Sequence, residues 1–103
     1  MTKFYIRWHM NPHTTPTNPE ERVKLWMTLL EGVKNDFKAG IFKDWGNCSD
    51  LREGYCISEL DEKMLDTAIL KYVPYIIFDI RPVLTVDQVV ESIQRAVAAA
   101  KTH

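Results

Sequence analysis

"KFYIRWHM" (3–10) is the stretch on which the fold turns. Phe4, Ile6, Trp8 and Met10 alternate with Lys3, Tyr5, Arg7 and His9, the two-residue period of a strand with one buried face. Its second face sets Tyr, Arg and His side by side, which is neither plain solvent surface nor core. "YIIFDIR" (75–81) has the same character: Ile76, Phe78 and Ile80 share one side, and Tyr75, Ile77, Asp79 and Arg81 the other.

Between these strands the chain punctuates itself clearly. After the loop "NPHTTPTN", Asn18 suits a helix cap, Pro19 the first helical position, and Glu21 stands three residues after the cap. Val23, Trp26, Met27, Leu30, Val33 and Phe37 then form an apolar stripe, and Gly40 ends it. Trp26, Met27 and Phe37 are read as core. "IFKDWG" (41–46) and "EGYCISE" (53–59) read as a hairpin around the polar turn "NCSDLR". A second helix starts near Asp61, carries Met64, Leu65, Ala68, Ile69 and Tyr72, and stops at Pro74. After the last strand, Thr85 and Gln88 form a capping box with Leu84 and Val89 as its staple. Val86, Val89, Val90, Ile93 and Val97 continue a third helix that frays into "AAAKTH".

The order β-α-β-β-α-β-α predicts an α+β fold. Two right-handed β-α-β crossovers joined by a hairpin give a ferredoxin-like antiparallel sheet, first and third strands central, with an extra C-terminal helix. Two helices cover one sheet face. The other carries Tyr5, Arg7, His9, Tyr75, Ile77, Asp79 and Arg81, a mixture that suits the space between two sheets meeting in a homodimer.

At 103 residues the chain is a single domain (1–103) with a small core, 46% of its residues being hydrophobic. The net charge of −1 and the spread of Lys and Arg give no footprint for nucleic acid. No apolar run approaches a bilayer span and the N-terminus lacks the pattern of a signal peptide, so no membrane partner is expected and the cytoplasm is the expected compartment. The two cysteines, Cys48 and Cys56, are then expected to be reduced, with hairpin counting placing Cys56 beside Lys43.

The quoted segments resemble the dimeric α/β-barrel superfamily, which includes muconolactone isomerases, small cofactor-free monooxygenases and stress-responsive barrel proteins. Closer still, the chain resembles an uncharacterised prokaryotic family within that group. The matching features are Trp8 late in the first strand, "KDWG" in the second, "EGYCISELDE" leading into the second helix, and "IRPVLTVDQVVESI" at the end. The loop 11–18 and the turn 47–52 are longer than that family's pattern. The resemblance implies a homodimer and a shared fold, but assigns no catalytic residue and no cofactor.

The candidate ligand residues are therefore Tyr5, Arg7, His9, Trp45, Asp79 and Arg81. Arg7 and Asp79 read either as a cross-strand ion pair or as an arginine held for a ligand carboxylate or phosphate. His9 is either an acid–base group or a polar residue at a rim. Trp45 lines a pocket, stacks on a partner, or caps the hairpin. The faces taken by Tyr55, Cys56, Ile57 and Ser58 stay open. His9, His13, Cys48, Cys56 and His103 show no metal-ligand spacing, so no metal is expected. The leading expectation is a homodimer whose interior binds a small organic molecule, anionic because two arginines face it. The alternatives are a cofactor-free isomerase or monooxygenase using His9 and Arg7, and a protein–protein interaction module.

Overall fold

The computed structural model describes residues 1–101. Its elements are β1 (Thr2–Met10), α1 (Pro19–Lys38), β2 (Asp44–Asn47), β3 (Glu53–Leu60), α2 (Glu62–Leu70), β4 (Ile76–Val83) and α3 (Val86–Lys101). The strands form one antiparallel sheet in the order β2-β3-β1-β4, so β1 and β3 are central as the crossovers required. Among the described residues the fold is thus α+β, with four strands and three helices, none of them long and apolar enough to cross a membrane.

Each helix starts where its cap residue sits. The Asn18 carboxamide oxygen accepts from the Glu20 and Glu21 N–H groups, and the Asp61 carboxylate accepts from Lys63 and Met64. In α3 the capping box closes both ways: Gln88 N–H donates to Thr85 Oγ1 at 3.2 Å, and Thr85 N–H to Gln88 Oε1 at 2.9 Å.

Phe4, Ile6 and Trp8 are buried, together with Cys56 and Leu60 of β3, Leu65 and Ile69 of α2, Tyr72, Ile76 and Phe42. That set defines the face beneath α1 and α2. It also settles β3: Cys56 and Ser58 turn toward the helices, and Tyr55 and Ile57 share the open face with Tyr5, Arg7 and His9.

Several boundaries and placements differ from expectation. The second strand is Asp44–Asn47, because Gly40 takes φ +78° and the Ile41 and Phe42 N–H groups close onto the Asp36 carbonyl instead of a neighbouring strand. The register therefore sets Cys56 opposite Trp45, not Lys43. Both cysteines are nonetheless free. Met27 and Phe37, expected in the core, are exposed, and Ile80 is exposed although it shares the helix-facing side with Ile6. Tyr75 lies just before β4 and lines a hollow beside α1.

The third helix stands apart. Every residue of α3 is exposed, and the molecule measures 64 × 25 × 23 Å. Its radius of gyration is 17.8 Å. A compact chain of this length would give about 13 Å.

Candidate ligand-binding cleft

The six residues singled out by sequence fall on two sides of the sheet. Tyr5, Arg7 and His9 lie on the open face, where Arg7 is flanked by Tyr55 and Asp79, Tyr5 by Ile57 and Arg81, and His9 by Glu53 and Ile77. Arg7 and Asp79 are thus cross-strand neighbours. Yet Asp79 pairs along its own strand, with Arg81 at 3.6 Å, and both side chains are largely exposed. Such a pair contributes little to stability. At the other edge of this face the Tyr55 hydroxyl donates to Asp44 Oδ2 at 2.9 Å, and that hydrogen bond to a carboxylate raises the phenol pKa above its ordinary value. The open face is therefore wet in the single chain. His103 lies outside the described residues.

Trp45 is on the opposite side, where it lines the same cleft as Trp8 and Trp26. Its ring stacks on Trp8 with centroids 5.5 Å apart and planes 11° from parallel. Trp8 lies flat because β3 offers Gly54 opposite it. A Cβ at Gly54 would stand 2.6 Å from Trp8 Cζ2 and 2.1 Å from the Gly46 carbonyl oxygen. The Trp8 indole N–H then donates to the Tyr55 carbonyl at 3.3 Å. Trp26, from α1, completes the set, with the Arg22 guanidinium 5.7 Å from its ring centroid.

These three rings wall a cleft of about 190 Å³ between α1 and the sheet. Met10, Met27, Leu30, Phe42 and Phe78 supply much of the remaining wall. Among the described residues no carboxylate, histidine, lysine or arginine lines it; the polar groups are Asn47, the Tyr72 phenol and the indole nitrogens. The buried Trp26 Nε1 has no hydrogen-bond partner among the described residues, an arrangement that costs free energy when nothing accepts from it.

Near its C-terminus α1 is anchored by a buried polar cluster. Asp36, near the C-terminus of α1, is the one fully buried residue of that helix. Its carboxylate accepts from the Lys71 ammonium and, at 2.5 Å, from the Tyr72 hydroxyl. Burial, and then the bond to Asp36, push the Tyr72 phenol pKa upward. The Tyr72 ring lies against α1 at Gly32, where an added Cβ would make ordinary van der Waals contact, 3.4 Å from the hydroxyl. The N-terminal half of α1 has no such anchor, and Val23, Met27 and Leu30 remain exposed along the cleft. A second hollow, about 320 Å³, runs between Lys24, Thr28, Lys71 and Tyr75, where Lys71 is already committed to Asp36.

Sequence reasoning took Trp26 for core and passed over Asp36. The signal for Asp36 was present: it stands three residues after Val33, on the apolar stripe, where a carboxylate needs a partner. The convergence of the tryptophans had no such signal, because it depends on how α1 docks. No protein-family model matches this sequence, and no curated protein matches it significantly.

Proposed function

We propose that this chain is a homodimeric protein of the ferredoxin-like, dimeric α/β-barrel kind, and that it binds a small, neutral, apolar organic molecule in the cleft between α1 and the sheet. The fold reading is supported by the sheet order β2-β3-β1-β4, in which each crossover skips one strand. The second copy is supported by the open face, where Tyr5 and Ile77 are about two-fifths exposed beside Arg7, Asp79 and Arg81. Two free cysteines suit the reducing cytoplasm.

One observation carries the ligand reading: all three tryptophans of the chain, at positions 8, 26 and 45, converge on one uncharged cleft. Flat aromatic walls with few polar groups select flat apolar molecules, and the absence of a charged wall disfavours ions. The ligand thus sits across the sheet from Arg7 and Arg81, and it is neutral where the open face alone suggested an anion. Among the described residues no cleft-lining side chain is a carboxylate, histidine or cysteine, and the phenol of Tyr72 is bound to Asp36, so the proposal is binding alone.

The test is fluorescence titration with N-phenyl-1-naphthylamine, a neutral aromatic probe. Saturable binding with quenching of tryptophan emission is expected, and Trp45→Ala or Met27→Glu should weaken it about tenfold or more, the equivalent of one lost aromatic contact or one charge set in the apolar wall. Absence of saturation, or equal binding by both variants, overturns the reading.

A further inference from the structure

We infer that α3 docks against α3 of a second copy of this chain, antiparallel and about a twofold axis beside Gln94. This rests on the homodimer reading above and names a contact for it. An isolated helix of 16 residues is marginal in water, yet no residue of α3 is buried. It leaves β4 through the short connection Leu84–Thr85, and its apolar stripe stays exposed instead of being buried against the sheet that carries it.

The spacing of that stripe suits another helix. Val86, Val90, Ile93, Val97 and Ala100 step alternately by four and three, the rhythm of a two-helix seam. Val86 is 79% exposed and Ile93 59%. The charges beside the seam specify which helix and which direction. Glu91 and Arg95 pair with each other on the face away from the seam. Asp87 and Lys101 take part in no ion pair among the described residues. With Gln94 they recur every seven residues, so all three occupy the same rim of the seam.

In an antiparallel pair this rim meets the same rim of the other copy. With Gln94 on the axis, Asp87 faces Lys101 of the partner subunit, and Lys101 faces Asp87 of the partner subunit. Two symmetric ion pairs result, and the helix dipoles run opposed. A parallel pair would set this rim against Val89 and Ala96, with no charge to match. On the opposite rim, the small Ala96 lets the two backbones come close.

The test uses the full chain in sedimentation equilibrium. Asp87→Lys and Lys101→Asp should each raise the dimer dissociation constant about tenfold, because like charges then face each other twice, and the double reversal should restore it. Ile93→Asp should raise it further, since a charge then sits in the seam itself. In a Cys48→Ser background, Gln94→Cys should cross-link to its own copy through a short bis-maleimide, and Arg95→Cys, on the outer face, should not. Circular dichroism identifies any variant that has merely lost helix, and for such a variant the cross-linking pair decides. A dimer indifferent to every α3 change overturns this inference and leaves the homodimer to the open sheet face. A monomeric wild type at tens of micromolar overturns both.

Discussion

Cys56 and Cys48 belong to the same hairpin and face opposite environments. Cys48 is exposed, and Cys56 is sealed under the helices, where burial pushes its thiol pKa from 9.0 up to about 12. Alternation along β3 determines this, but the sequence alone could not choose the face, because Tyr55-Cys56-Ile57-Ser58 offers both parities something apolar. The structure chooses through register, since Cys56 sits opposite Ile6, whose own face the β1 pattern had fixed. A pH dependence follows. Between pH 9 and about 12 the unfolded chain has released the Cys56 proton and the folded chain still holds it. The folded state therefore binds more protons, and stability present below pH 9 is lost as pH rises, by up to about 1.4 kcal/mol per unit. Tyr72, also raised by burial, acts with the same sign at higher pH. Urea midpoints measured from pH 8 to 10 should fall less steeply for Cys56→Ala than for wild type. Parallel curves would show that Cys56 is not sealed as described.

Element boundaries were legible where a side chain caps or a glycine turns, and illegible where backbone bonds decide. Asn18, Asp61 and Thr85 announced three helix starts because their oxygens accept from the first free N–H groups. Ile41 and Phe42 looked like strand, yet their N–H groups bond back to Asp36, and Phe42 is core without being sheet. The β2–β3 hairpin depends on two glycines with different tolerances. At Gly54 an added Cβ would stand 2.1 Å from a backbone oxygen and 2.6 Å from the Trp8 ring, neither able to yield. At Gly46 it would meet the Tyr55 ring at 2.4 Å, a side chain on the open face that can swing away. Gly54→Ala should therefore cost about 1–3 kcal/mol in denaturant unfolding and shift tryptophan emission as the Trp8–Trp45 stack is pushed apart, with Gly46→Ala costing less. Equal costs at the two sites, or an unchanged emission spectrum for Gly54→Ala, would contradict the packing described here.

At the scale of the molecule, α+β class and strand order followed from the succession of patterns, and the exposed arm did not. The third helix reads from sequence as one more amphipathic layer, and nothing in its residues says whether the stripe returns to its own sheet. The observed arrangement divides the chain energetically. The core joins β1, β3, α2, Ile76 of β4, Tyr72 and Phe42, and no residue of α3 belongs to it. Removing residues 84–103 should then leave the unfolding of the sheet core nearly unchanged at low protein concentration, where association contributes nothing. At high concentration the intact chain gains stability from any association through α3, because a partner that binds only the folded state shifts the transition by mass action. The intact protein should show a melting temperature that climbs with concentration, and the shortened one a smaller climb. Calorimetry of both across a hundredfold range of concentration measures this. A large loss of stability in the shortened chain at the lowest concentration would mean that α3 packs on its own core in solution, and the arm would then be folded back.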